Sequence, residues 1–436
     1  MTNGTIERKK FLFVSWESLS GDLAWQVKRE GHAVKVYIKR EGDKDVYEGM
    51  LDRVEEWEKS VDWADVVVFD DTGFGEHADR LRKAGKLVVG GSAYTDRLEE
   101  DREFGQAEMK GVGMVTLPAE NFTSFDEAIK FVKENPGRYV LKPSGQISSE
   151  AKGLLFIGEE EDGKDLLEVM MHNKRVWSKK IARFTLQKYA AGVEVACGAF
   201  FNGREFVQPI NINFEHKRLF PGELGPFTGE MGTACYWSDP NNMFNATLGK
   251  MKESLAQSGY VGYVDVNCIA TSKAIYPLEF TCRFGYPTIS LQMEGIQTPM
   301  GELLYRMAKG ESFQFKTKRG FQVCVVIAVP PFPYDDKATY AVYKDSSIIF
   351  KRREGDGIPE GVHLGDVKLE ENDLHLAGDS GYALVITGAG TTMDEARRQA
   401  YARIRNILLQ NMYYRTDIGE RWNQDGDRLH TWGYIH

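Results

Sequence analysis

The sequence predicts a multidomain α/β protein, an α+β arrangement taken over the whole chain. Three observations carry this. The chain has 436 residues, too many for one ordinary core, so about two to four domains are expected. Its first region alternates short apolar runs with helical spacing, the pattern of βαβ units and a parallel sheet. Its middle and end carry strand-like runs closed by turn residues, with a strong amphipathic helix near the C-terminus.

Apolar residues make up 42% and charged residues 27%, normal for a globular protein. The net charge of −9 argues against nucleic-acid and membrane-surface partners, without excluding a local basic pocket. Cys197, Cys235, Cys268, Cys282 and Cys324 are scattered, with no CxxC pair. They read as free thiols in a reducing compartment, which predicts a cytoplasmic location. No apolar run reaches the length of a membrane span.

In residues 1–100, "KFLFVSW" (10–16), "AVKVYIK" (33–39), "DVVVFDD" (65–71) and "KLVVGG" (86–91) are the expected strands, with a helix over "GDLAWQVKREGH" (21–32). The first loop, "SWESLSGD", lacks the G-x-G-x-x-G fingerprint, which argues against a nicotinamide-dependent dehydrogenase. Residues 101–185 form a second region, its charged opening read as one helix, "RLEEDREFGQAEMKGVG". An amphipathic helix over "FDEAIKFVKENPG" (125–137) follows, closed by Pro136-Gly137. The strands "RYVLKPSG" and "KGLLFIG" flank a polar loop, as in a small β-rich lobe. Residues 186–318 contain a hairpin and the paired strands "GYVDVNCIA" (262–270) and "AIYPLEFTCRFG" (274–285). Residues 319–436 carry two strands and the helix "TMDEARRQAYARIRNILL" (392–409).

Five features could carry chemistry. Lys142 ends an apolar strand beside a glycine-containing loop that leads to Lys152 and Gly153. Such a lysine can meet nucleotide phosphates as a point charge; the alternative is a solvated surface lysine. "LQKYAAGVE" (186–194) suits an adenine hinge through Gln187 and Tyr189, with Glu194 placed to accept from ribose hydroxyls. Taken alone, the segment is better explained by a plain hairpin. Asp265 and Glu279 lie on largely apolar strands, where unpartnered carboxylates are costly. With Asn267 and Thr281 on the same faces, they suit a magnesium ion completed by phosphate oxygens; a salt bridge is the competing reading. Arg283 could grip a carboxylate or acyl phosphate bidentately. Finally, "EHKRLFPGELGPFTGEMGT" (215–233) reads as a glycine-rich loop behind three potential cations, His216, Lys217 and Arg218. Backbone N–H groups around Gly225, Pro226, Thr228, Gly229 and Gly232 could cradle an anion.

This order of features resembles the ATP-grasp ligases, and within them the phosphoribosylamine–glycine ligase family. The family's D-H-K-R and G-P-N-T-G-G-M-G segments read "EHKR" and "GPFTGEMG" here. Its E-F-N-x-R-F-G-D-P-E reads "EFTCRFGYPT" (279–288), and its Y-R-x-D-I-G reads "YRTDIG" (414–419). The late V-T-A-x-G-x-T-x-x-E-A-x-x-x-A-Y reads "VITGAGTTMDEARRQAYARI" (385–404). The matches fall in order along the chain.

The resemblance implies an N-terminal Rossmann-like domain, a small nucleotide-closing lobe, an ATP-grasp core and a C-terminal α/β domain. It implies that ATP and Mg²⁺, with Mn²⁺ able to replace it, phosphorylate a carboxylate, and that an amine attacks the acyl phosphate to give an amide. Lys142, Lys152, Gly153, Gln187, Tyr189 and Glu194 would bind nucleotide. Asp265, Glu279, Asn267 and Thr281 would hold metal. Arg283, Lys217 and Arg218 would be catalytic, and the His216–Gly232 stretch would border the substrates. The partners would be an amino acid, such as glycine, and an amine, acting on a monomer or dimer.

The chain also departs from the family. The G-x-G-G-R-E-H-A-L-A-W loop is "SWESLSGDLAW", and the lysine loop "PSGQISSEAKG" is longer by two. Thr281, Tyr286 and Thr288 replace the metal motif's Asn, Asp and Glu. These differences favour a divergent relative over a genuine phosphoribosylamine–glycine ligase. A non-catalytic nucleotide-binding protein on the same fold is the reading from another class.

Overall fold

A computed structural model describes residues 6–144, 154–352 and 357–435. The strands Lys10–Ser15, Ala33–Ile38, Asp52–Arg53, Val66–Phe69 and Leu87–Val89 form a parallel sheet in the order 3-2-1-4-5. Both faces are covered, as parallel sheets require. Phe11 and Phe13 join the main core, whereas Leu12 and Val14 pack with Trp57, Phe69 and Phe74 on the other face.

The charged run expected as one helix is two, Ala93–Glu100 and Arg102–Gly111. The break is at Asp101, which adopts extended backbone and accepts from Phe104 N with its side chain. An aspartate in a charged stretch looks like one more surface residue, yet here it caps a new helix.

The small lobe is a separate four-stranded antiparallel sheet, in the order Ala119–Phe122, Arg183–Lys188, Tyr139–Ser144, Phe156–Ile157. Helices Phe125–Glu134 and Lys164–Trp177 cover it, and Phe125, Val132, Leu141, Met170 and Phe184 give it a core of its own. The flanking loop with Lys152 and Gly153 lies outside the described residues.

The central sheet has eight strands. Its order is Ile275–Thr281, Val261–Ala270, Val193–Asn202, Phe206–Phe220, Leu224–Ser238, Phe321–Ala328, Tyr382–Gly390 and Val362–Leu364, with every neighbour antiparallel. The strand Phe321–Ala328 therefore extends the sheet of the preceding region without a break. Helix Met393–Ile404, with a capping box at Thr392, packs on these last strands. A further four-stranded sheet, Val367–Glu370, Asp373–Leu376, Ser347–Phe350 and Ile407–Leu408, completes the C-terminal region.

The first helix, Gly21–Arg29, ties the two ends of the chain together. The Asp22 carboxylate accepts from Leu364 N at 3.0 Å and from Ser290 Oγ at 3.1 Å, and it meets His363 Nδ1 at 2.8 Å. All five cysteines are free and buried. Among the described residues, no helix is long and apolar enough to cross a membrane.

Candidate active site

A cleft of about 1310 Å³ opens where three parts of the chain meet. Lys142, Pro143 and Ser144 line it from the small lobe. Glu215, Lys217, Glu230, Asp265, Asn267 and Glu279 line it from the central sheet. Asp71–Gly73 and the two helices around Asp101 close it from the first domain.

The stretch read as a glycine loop is instead a long hairpin, Phe206–Phe220 against Leu224–Ser238. The reason is visible in the alternation that its glycines obscure. Phe214, His216 and Leu219 are buried on strand positions, and Met231 is buried on the partner strand. The pairing is His216 with Gly232 and then Arg218 with Phe227, so Lys217 alone stands opposite Thr228–Met231. This bulge brings Gly229 and Glu230 to the cleft wall. Gly232 is required by close approach of backbone: a Cβ there would sit 2.5 Å from the Cys324 carbonyl. Gly225 has φ +81° beside the hairpin tip. Thr228 Oγ1 donates to the Lys217 carbonyl, and Pro226 lies within the strand.

Strand alternation also separates the three expected cations. Only Lys217 lines the cleft. His216 is buried, both ring nitrogens lack partners, and burial, then Arg421 and Arg415, pull its pKa down to about 3, so it is neutral. Arg218 turns to the hairpin tip, where it donates to the Gly225 carbonyl at 2.7 Å and stacks on Phe227.

Lys217 is the centre of the site. Its Nζ lies 3.2 Å from Glu215, 3.4 Å from Glu279 and 3.9 Å from Glu194. Burial acts to lower its pKa, but these three carboxylates outweigh it and hold the ammonium charged. Lys217 in turn, with Arg102 and Lys142, draws Glu279 down to about 2 against the effect of burial. Asp265 pairs across the strands with Thr281, and Asn267 with Glu279, so all four face the cleft together. Burial, then Glu215, pushes the Asp265 carboxyl well up, and its Oδ1 has no hydrogen-bond partner. Glu230 behaves likewise: it is 8% exposed, its Oε1 is unpartnered, and its carboxyl group hydrogen-bonds with Thr288.

Lys142 donates to Gln187 Oε1 at 2.7 Å. Burial, then Arg102, lowers its pKa to about 8. The expected hinge is partly engaged already: Lys188 N donates to the Pro118 carbonyl and Tyr189 N to that of Arg138, whose guanidinium lies over the Tyr189 ring. Glu194 faces Lys217. Arg283 lines the cleft, but its Nε is shared by Glu99 at 2.9 Å and Asp71 at 3.0 Å.

Among the described residues, no three histidines, cysteines or acids converge to hold a metal alone. The ionised Glu279 and the unpartnered Asp265 oxygen, beside Asn267 and Thr281, fit a hard cation that takes its remaining oxygens from a nucleotide. Sequence reasoning did not find Glu215, Glu230 or Arg102. Glu215 had a signal, since it precedes Lys217 by two positions on one strand face.

Comparison with known proteins follows this geometry. Residues 100–289 match the model of the phosphoribosylglycinamide synthetase ATP-grasp (A) domain, and residues 322–421 match that of the C domain. The chain is 24% identical over 355 residues to a phosphoribosylamine–glycine ligase of Halalkalibacterium halodurans, covering 79% of this chain and 78% of that one. It is 23% identical over 431 residues to the one from Clostridium acetobutylicum, covering 94% and 99%. In structure it is similar to phosphoribosylamine–glycine ligase from Thermotoga maritima, with a TM-score of 0.68 at 23% identity over 94% of this chain and 100% of that one. It is also similar to a biotin carboxylase from Campylobacter jejuni, with a TM-score of 0.62 at 13% identity over 98% of each. The two matched domains together take up about two thirds of the chain: it belongs to the phosphoribosylglycinamide synthetase family and is an ATP-grasp ligase, an ADP-forming enzyme that makes a carbon–nitrogen bond.

Proposed function

We propose that this ligase joins an amino-acid carboxylate to an amine through an acyl phosphate. The observation that carries the reading is the meeting of Lys142, Lys217, Glu279 and Asp265 on one cleft, from two lobes that can close on a nucleotide. Lys142, with Lys152 and Gly153 from the adjoining loop, meets the phosphates. Gln187 orients Lys142, and the 186–194 segment holds the adenine and ribose. Glu279, Asp265, Asn267 and Thr281 would hold Mg²⁺, which would supply positive charge against the nucleotide phosphates. Lys217, kept protonated by its carboxylates, faces the transferring phosphoryl group and stabilises charge developing there. Gly229 and the surrounding bulge border the carboxylate to be activated. The free thiols favour a reducing, cytoplasmic setting.

A second reading is phosphoribosylamine and glycine themselves as substrates, in purine synthesis. The near-full-length likeness to proteins of that name favours it. A non-catalytic nucleotide-binding role fits poorly with a cleft that keeps both the phosphate-facing lysines and the carboxylates.

Two measurements separate these readings. ADP release is followed across a panel of amino acids, with and without phosphoribosylamine generated in place. Hydroxylamine is added in parallel, because it captures an acyl phosphate as a hydroxamate whatever the natural amine is. Hydroxamate formation supports the ligase chemistry, and its absence across the panel defeats it. ADP release that needs both glycine and phosphoribosylamine selects the second reading.

Lys142 gives a pH prediction. Its folded pKa of about 8 is depressed, so the ammonium that attracts phosphate is present below that pH and lost above it. Affinity for a non-hydrolysable ATP analogue is expected to fall as pH rises through about 8. In Lys142→Arg, where the charge persists, that bend should vanish. An identical bend in the arginine variant would remove Lys142 from the phosphate site.

A further inference from the structure

We infer that the acceptor of this ligase is an unphosphorylated, cationic amine, and that Glu230 receives its reacting nitrogen; the inference rests on the ligase reading above. The nucleotide end of the cleft belongs to the small lobe. The opposite end belongs to the first domain, at the crevice where the parallel sheet reverses between Lys10–Ser15 and Val66–Phe69. In such sheets ligands enter at that crevice, and a phosphate sits on the N-terminus of the helix after the first strand.

That place is filled from within. Asp70, fully buried, accepts from Ser20 N at 2.9 Å and Ser20 Oγ at 2.8 Å, just ahead of helix Gly21–Arg29. The next residue, Asp71, faces the cleft. A phosphorylated acceptor would therefore meet carboxylates where it needs donors.

The cations at this end are already paired. Arg97 lies 3.5 Å from Asp101, Arg102 lies 3.6 Å from Glu279, and Arg283 is held by Asp71 and Glu99. Glu76 and Glu100 line the same end and form no ion pair among the described residues. The excess charge is negative, which attracts a cation and repels an anion.

Glu230 gives this field a point of action. It lies on the wall in the bulge opposite Lys217, buried, with Oε1 lacking any hydrogen-bond partner. Buried carboxylate oxygens are acceptors that demand a donor, and an ammonium has three. The ammonium's charge offsets the burial that otherwise holds Glu230 protonated, so the pair forms with Glu230 ionised; in the step that follows, the bound R–NH₃⁺ gives one proton to that carboxylate. The freed nitrogen lone pair attacks the carbonyl carbon of the acyl phosphate. The C–N bond forms, and the C–O bond to phosphate breaks with its electron pair leaving on phosphate. That phosphate takes the second proton from nitrogen, leaving a neutral amide.

The test is binding to the full chain saturated with Mg²⁺ and a non-hydrolysable ATP analogue, by calorimetry. The probes are 1,3-diaminopropane, 1,4-diaminobutane and ribose 5-phosphate. Expected is binding of a diamine that weakens with added salt, with affinity at least about tenfold lower in Glu230→Gln. Ribose 5-phosphate should not bind. Retained affinity of Glu230→Gln for the ATP analogue shows that the variant is folded. The proposal is overturned if ribose 5-phosphate binds more tightly than the diamines, if neither diamine binds, or if Glu230→Gln binds diamine as the parent does. The hydroxamate measurement stands apart: hydroxamate with no diamine binding defeats this inference alone, and no hydroxamate defeats the ligase reading beneath it.

Discussion

Glutamine in place of Glu279 is expected to cut turnover by about two to three orders of magnitude, the scale lost when one group placed against transition-state charge is removed. Glu279 is isosteric with glutamine, so the strand Ile275–Thr281 should hold its shape and the ATP analogue should still bind. What disappears is a fixed negative charge. Lys217, then burial, Arg102 and Lys142 set the Glu279 pKa, and the balance brings it to about 2, so the group is ionised at any working pH. Lys217 keeps Glu215 at 3.2 Å in the variant, which limits structural damage. The measurement is kcat at saturating Mg²⁺ and ATP, beside the affinity for the analogue. Unchanged kcat would remove Glu279 from the metal site. A loss confined to low Mg²⁺ would show that the carboxylate serves affinity for the cation more than turnover.

Replacing Arg415 with methionine is expected to destabilise the protein by about 1.5–3 kcal/mol, the scale of losing hydrogen bonds to a charged group whose partners are partly exposed. Its side chain is fully buried. Nε donates to Asp417 Oδ1 at 2.8 Å, and Nη2 donates to Asp417 Oδ2 at 2.7 Å and Glu223 Oε1 at 2.8 Å. Nη1 donates to the Arg218 carbonyl at 2.9 Å. Asp417 also accepts from Gly222 N at 3.0 Å. The hairpin tip is thus fastened to the C-terminal segment at three points, two on the Arg415 guanidinium and one on the Asp417 carboxylate that it orients. Without it, Asp417 is left without its cation and the tip is loosened, starting at Arg218, the residue after the cleft-lining Lys217. The check is the midpoint of urea unfolding together with residual turnover. Arg415→Lys should fall between, since an ammonium cannot form the bidentate pair. A shift below about 1 kcal/mol in the methionine variant would mean that water replaces the guanidinium at little cost.

Much of the architecture was legible because it is written in local periods. The apolar runs of residues 1–100 alternate with helical spacing and close on turn residues, so the parallel sheet followed. The paired acids Asp265 and Glu279 stood out because carboxylates are rare on apolar strands. The segment 215–233 was misread for a physical reason: glycine signals freedom, whereas Gly232 is there because another strand passes within contact distance. With the loop reading went the idea of three cations acting together, which period-two alternation forbids. Glu230 could not be found at all from spacing, since only the four-against-one bulge turns it inward. Asp70 was equally hidden. Its place at the head of a helix some fifty positions earlier in the chain exists only in the folded molecule.

The shared eight-stranded sheet has a consequence for how this chain can be divided. The strand Leu224–Ser238, which supplies Gly229 and Glu230 to the cleft, has Phe206–Phe220 on one side and Phe321–Ala328 on the other. A fragment ending before residue 320 would bare that strand along Gly232–Tyr236: unpaired amide and carbonyl groups beside the buried Met231 and Cys235, an edge that can template pairing with another chain. The C-terminal region is thus the cover that keeps a cleft-lining strand from becoming an aggregation edge, whereas the small lobe has a sheet and a core of its own.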